Sequence, residues 1–293
     1  MELFLTVLEI VAPVFTLGAI GFIWVRLEFE YNIAFVTRLT MTLSVPCLVF
    51  VSLMRTQINP AALAALTLAA IVAYAVVTVA TFVLIKAAGL STRTYLAPLI
   101  FGNTGNLGLP LALFAFGEIG LDYAVVVFAV MAVLSFTLGI WLVSGGGSPV
   151  KALKEPMVAA TLLGALFMWQ GWRTPDAITN TLELIGQMAI PLMLLTLGVA
   201  VGRLRAKRLG RALWLSVAKV LICAAAAWGA GLWLELAPVA LAVLVVQIST
   251  PVAVTSYMLA AKYGADSDSV AGLVVVSTVL SVFSIPLILA FLV

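Results

Sequence analysis

The ten residues Phe101-Gly-Asn-Thr-Gly-Asn-Leu-Gly-Leu-Pro110 lie inside an apolar segment of about 95–116 that is long enough to cross a bilayer. A spanning helix must satisfy its backbone groups internally, because lipid offers no partners, and this stretch works against that. Pro110 has no amide donor and crowds the turn before it. Gly102, Gly105 and Gly108 loosen the backbone, while the side chains of Asn103, Thr104 and Asn106 compete for its hydrogen bonds. The pattern predicts a helix broken near the bilayer midplane. Such breaks persist only where protein buries them or a polar cavity wets them, and in transporters they commonly build the substrate site. The glycines are not a phosphate cradle, since no strand precedes them within a βαβ unit.

The rest of the chain fits a membrane setting. Of its 293 residues 64% are hydrophobic and only 9% charged, with mean hydropathy +1.24. At about 20 apolar residues per span, ten spans are expected, at about 4–26, 34–54, 63–86, 95–117, 122–143, 155–172, 178–201, 211–234, 238–261 and 269–292. The short loops leave no room for a soluble domain. The first segment lacks a basic leader and a small-residue cleavage site, so it reads as a retained helix. With the N-terminus outside, the cytoplasmic loops hold Arg26, Lys86, Arg93, Lys151, Lys154, Arg203, Arg205, Lys207, Arg208, Arg211 and Lys262. The outer loops hold Arg55 and Arg173. Positive charge collects on the cytoplasmic side, so the expectation is N-out, C-out in a plasma membrane, the inner membrane of a bacterium. The basic run Arg203–Arg211 reads as an orientation anchor on lipid headgroups, and it lacks the aromatic context of a nucleic-acid patch.

A second proline pattern echoes the first. Pro13, Pro46 and Pro110 are separated by 33 and 64 residues, and Pro156, Pro191 and Pro251 by 35 and 60. The offsets between the two sets are 143, 145 and 141. We read two five-helix repeats, 1–143 and 155–293, joined by a cytoplasmic linker at 144–154 that contains Ser144-Gly-Gly-Gly-Ser-Pro149. An odd number of spans per repeat makes the second copy enter from the opposite side, so the repeats are inverted.

The ninth span, Val245-Val-Gln-Ile-Ser-Thr-Pro-Val-Ala-Val-Thr-Ser-Tyr257, is then the counterpart of the fourth. Ser249 or Thr250 is expected to cap a new helix that opens at Pro251. Two half-helix N-termini meeting at one point carry unpaired N–H groups and partial positive charge, which suits an anion. Asn103, Thr104, Gly105, Asn106, Gln247, Ser249, Thr250 and Thr255 form the candidate substrate site, with Ser44 on its scaffold side. Pro110, Pro251, Pro46 and Pro191 shape the breaks. Neither broken helix carries an Asp or Glu at its break, so an ion site built on a midplane carboxylate is not expected. Charges inside spans are functional suspects, which makes Glu183 and Lys219 candidates for coupling. Lys219 either pairs with an anion or carboxylate or snorkels to the interface, and Arg38 reads as an interface residue.

Phe101-Gly-Asn-Thr-Gly-Asn-Leu-Gly-Leu-Pro-Leu111 resembles the signature of the auxin efflux carrier family, part of the bile acid/sodium symporter-like superfamily. Ser44-Val-Pro46, Ile190-Pro-Leu-Met-Leu-Leu-Thr-Leu-Gly198, Ser249-Thr-Pro-Val-Ala-Val-Thr255 and Ala260-Ala-Lys-Tyr-Gly264 support the likeness. The resemblance implies an all-α membrane protein of ten helices in two inverted repeats, with broken helices 4 and 9 crossing at mid-membrane. Spans 1, 2, 6 and 7 would form a scaffold, and spans 3–5 and 8–10 a transport domain. It also implies export of small organic anions, with Asn103, Asn106, Pro110 and Pro251 at the crossover, and it allows a homodimer through the scaffold. The long cytosolic loop of many plant members is missing, so their substrate is not carried over.

Without histidine, a histidine-based metal site and Ser–His–Asp chemistry are excluded. Cys47 and Cys223 lie inside spans and read as small packing residues. No metal or cofactor is expected, and the coupling ion, proton or sodium, stays open. The expected function is secondary transport of a small organic anion such as a carboxylate. A channel-like uniporter or a sodium-coupled symporter on the same fold is the alternative, and an intramembrane enzyme lacks an activated nucleophile.

Overall fold

The computed structural model describes residues 2–144, 156–204 and 209–292. The expected linker lies almost wholly outside these residues, as do Arg205, Lys207 and Arg208 of the basic run. The described chain is helical apart from one isolated β-bridge. We name its helices α1 (Glu2–Arg26), α2 (Ile33–Arg55), α3 (Pro60–Ala87), α4a (Thr92–Ile100), α4b (104–116), α5 (118–144), α6 (Pro156–Gln170), α7 (Asp176–Arg203), α8 (Leu209–Trp233), α9a (Pro238–Ile248), α9b (Val254–Tyr263) and α10 (Ser267–Leu292).

Seven stretches among the described residues are long and apolar enough to cross a membrane: Glu9–Arg26, Ile33–Arg55, Pro60–Ala87, Thr104–Ser144, Asp176–Arg203, Leu209–Trp233 and Ser267–Leu292. The expected fourth and ninth spans are each split into halves too short to cross alone, and α6 is also short. The boundary between the fourth and fifth spans is a single residue. Gly117 takes φ 65° and ψ −157°, a left-handed turn that a side chain would strain, and α4b passes directly into α5. Large apolar side chains such as Val79, Leu221, Phe283 and Phe291 stay exposed. An apolar surface of that kind suits lipid rather than water.

Proline shapes the helices in a repeated way. Thr40–Ser44 and Thr104–Gly108 are wide turns closed by i→i+5 hydrogen bonds, and each stands two residues before a proline, Pro46 or Pro110. In the second, the amide of Gly108 donates to the Asn103 carbonyl at 3.2 Å. A proline leaves a carbonyl of the preceding turn without its donor, and widening the turn relieves both that loss and the ring clash.

α1 packs on α7, and α2 packs on α6 and α7. The closest approach is at glycines: a Cβ on Gly198 would lie 1.8 Å from the Gly18 carbonyl oxygen, and one on Gly21 2.2 Å from that of Leu195. Small residues let backbones meet in a medium where no hydrophobic force drives helices together. A second set of contacts joins α3 to α8, α8 to α10 and α9a, and α9a to α4b and α5. Between the two sets lies an apolar seam that includes Val14, Leu107, Leu111, Leu194, Val246 and Ile285.

Candidate functional site at the helix crossover

The two interrupted helices meet at their breaks. Gly102 and Val252 form an antiparallel bridge, and the amide of Asn103 donates to the Pro251 carbonyl at 2.7 Å. Gly102 is what allows this: a Cβ there would stand 2.2 Å from Thr250 Oγ1 and 2.9 Å from the Thr250 carbonyl oxygen. Gly108 serves the same purpose one turn later, where a Cβ would be 2.1 Å from Gln247 Oε1. The break of α9 is also held from α10, whose Ser277 hydroxyl accepts from the Val252 amide at 3.0 Å. The sequence reading missed Ser277, which looks like one more small helix residue until α10 is packed against the break.

The cap expected at the second break is not formed. Pro251 to Ala253 are extended and α9b starts at Val254, so Pro251 does not open a helix. Thr250 Oγ1 instead donates to the Gln247 carbonyl at 2.7 Å and so closes the end of α9a. A hydroxyl in that position finds a carbonyl of its own last turn nearer than any amide of the next helix. At the first break Asn103 precedes α4b, and its carbonyl accepts from Leu107 and Gly108. The first amides of each new half-helix have no acceptor within their own helix.

Asn103, Thr104, Gln247, Ser249 and Thr250 are buried together at this point. Asn103 Nδ2, Thr104 Oγ1, Gln247 Oε1 and Ser249 Oγ have no hydrogen-bond partner among the described residues. On α2 the hydroxyls of Ser44 and Thr40 are likewise buried and unpartnered. A buried polar atom without a partner costs about 1–3 kcal/mol, so a concentration of them marks a place built for something other than packing. Asn106 and Thr255 lie apart from this group, in a narrow cleft of about 30 Å³ with Thr37, Thr40 and Thr196. Gly105 is buried behind Phe128.

A much larger cavity, about 750 Å³, opens at the end of the molecule where α2 finishes and α7 begins. It separates α2 and α7 from the far end of α4b and the start of α5, and Pro191 and Leu113 are among its walls. None of the nine candidate substrate residues lines it. Its polar wall holds residues that the sequence reading did not single out. Asp122 accepts from the Ser52 hydroxyl across the gap between α5 and α2, and Glu118 lies nearby. The signal available in the sequence was an acid in the first turns of a span, facing a serine in the last turns of another.

Glu183 forms an ion pair with Arg55 at the mouth of this cavity. Both side chains are partly exposed, 27% and 45%, where such a pair contributes about 1 kcal/mol or less. Lys219 does not snorkel. It is 1% exposed, and its ammonium donates to the Leu99 carbonyl at 3.0 Å and reaches Cys223 Sγ at 3.8 Å. At the narrow-cleft end, Tyr31 bonds Thr196 Oγ1 at 2.7 Å and Arg203 donates to the Tyr31 carbonyl. Burial pushes the Tyr31 phenol above its ordinary value of 10.0, with the Thr196 bond opposing.

Residues 144–289 match the family described as membrane transport protein. An uncharacterised transporter of Methanothermobacter thermautotrophicus is 31% identical over 192 residues, 63% of this chain and 63% of that protein. An uncharacterised transporter of Methanocaldococcus jannaschii is 28% identical over 203 residues, 64% of each. The matched region thus spans a little under two thirds of either relative. Each of these likenesses is to a transport protein.

Proposed function

We propose that the chain, whose residues 144–289 match the membrane transport protein family, is a secondary transporter of a small organic anion, a carboxylate being the best fit. The observation that carries this is the meeting of the two breaks. Two new half-helices start there, and four buried polar atoms beside them lack partners. Partial positive charge from helix ends, with neutral donors and no acid at the break, suits an anion better than a cation.

The packing supports alternating access. α1, α2, α6 and α7 form the scaffold, and α3–α5 and α8–α10 the moving unit, as two inverted five-helix repeats of ten spans. The large cavity lies between these units on the outer side of an N-out protein, while the narrow cleft lies towards the cytoplasmic side. That difference in size supports a carrier gated on one side over an open channel. The setting is a bacterial inner membrane and the direction is export. Proton or sodium coupling at Glu183 is disfavoured by its pairing with Arg55.

The test is a thermal-stability screen of the purified chain against carboxylates, followed by flux in liposomes. A ligand that binds the native state raises the unfolding midpoint by mass action. Asn103→Ala and Ser249→Ala are expected to abolish the shift and the flux for the carboxylate that works. Unchanged flux in both well-folded variants would refute the assigned site.

A further inference from the structure

A broken helix has two ends at the midplane. The new N-terminus of α4b is partially positive, but the C-terminus of α4a presents carbonyls that have lost their donors and is partially negative. Phe101 is the last residue to donate back into α4a, to the Ala97 carbonyl. The next three residues, Pro98, Leu99 and Ile100, are buried, so water does not relieve their carbonyls. In secondary transporters such carbonyl ends are where a mobile sodium or proton is held. Here a side chain already stands there. Lys219 comes from α8, two turns inside a span, is 1% exposed, and places its Nζ 3.0 Å from the Leu99 oxygen. The corresponding end of α9a receives a neutral group, the Thr250 hydroxyl on the Gln247 carbonyl. The two breaks therefore differ in the group that closes them, a lysine head at α4a and a hydroxyl at α9a.

We propose that Lys219 is a tethered cation that takes the place of a mobile coupling cation at the carbonyl end of α4a, so that the crossover accepts its anion without sodium. The proposal rests on the reading of the crossover as a transport site. It makes Lys219 a positioning residue: it touches the broken helix rather than the substrate, and it fixes the helix end against which α9 crosses. Because the ammonium is carried by the protein, its charge stays with the moving unit in both directions, and no cation gradient is consumed through this end of the helix.

The experiment uses cations alone, so its outcome is separate from that of the carboxylate screen. The unfolding midpoint of the purified chain is measured in sodium, potassium and choline chloride at equal ionic strength, for the wild type and for Lys219→Ala. Wild type is expected to show no sodium-specific rise. Lys219→Ala is expected to unfold earlier and to regain stability in methylammonium chloride, which fits where the lysine head was, but not in bulkier choline. A role in packing alone would not be rescued by an amine. A sodium-specific rise in wild type overturns the proposal, and that arm stands even if Lys219→Ala does not fold. Equal effects of methylammonium and choline on a folded Lys219→Ala overturn it as well.

Discussion

Gly102→Ala is the smallest change that tests whether the two breaks must touch. The added Cβ would stand 2.2 Å from Thr250 Oγ1 and 2.9 Å from the Thr250 carbonyl oxygen. The hydroxyl has to retreat by at least about 0.8 Å to reach the 3.0 Å that real contacts respect. Rotating it away breaks its bond to the Gln247 carbonyl, worth about 1 kcal/mol. Moving the backbone instead stretches the Asn103–Pro251 bond, at a similar loss. Overpacking adds about 1–3 kcal/mol, so the total is on the order of 2–4 kcal/mol. At about 2–4 °C per kcal/mol, the unfolding midpoint should fall by roughly 5–15 °C. Transport in liposomes should fall further than the folded fraction does, because the half-helix ends are displaced from one another. Thr250→Ala in the same chain removes the nearer obstacle and leaves a Cβ 3.4 Å away, an ordinary contact, while the carbonyl remains close. The double variant should therefore recover part of the stability, with a coupling of about 1 kcal/mol. A Gly102→Ala protein with wild-type midpoint and flux would refute the claim that contact at the crossover requires glycine.

Three further outcomes follow from other parts of the molecule. Gly198→Ala places a Cβ 1.8 Å from the Gly18 carbonyl oxygen, on a backbone atom that cannot rotate away. It should cost more than Gly102→Ala, read as loss of the monodisperse protein in size-exclusion chromatography. Ser52→Ala and Asp122→Ala each remove the hydrogen bond joining α2 to α5. Adding Ser52→Ala to Asp122→Ala should change flux no further, because Asp122→Ala has already removed the acceptor, whereas independent effects would show that the bond is not what joins the units. The Tyr31 phenol is held above 10.0 by burial, so the neutral form is favoured in the fold. Its contribution is intact below that value and is lost as pH rises through the raised one. Tyr31→Phe should lose about 1 kcal/mol at neutral pH with the Thr196 bond, yet show a flatter stability profile above about pH 10.

The sequence alone determined where the helices break. Proline, glycine and asparagine act on the backbone within about five residues of themselves, so the interruption at Gly102–Asn103 and its counterpart near Pro251 were legible, as was the spacing that pairs them. The apolar character of the remaining stretches was legible for the same reason, since hydropathy needs only a window along the chain. Which atoms close the broken ends was decided by tertiary structure. Lys219 reaches Leu99 across 120 residues and Ser52 reaches Asp122 across 70, and no local pattern encodes such partners. Thr250 shows the same limit at short range: its chemistry announced a cap, but only the extended path from Pro251 to Ala253 gave its hydroxyl the end of α9a instead of the start of α9b. Membrane burial explains the division. Every freed backbone group must find a partner in the protein, and packing of distant helices settles which side chain supplies it.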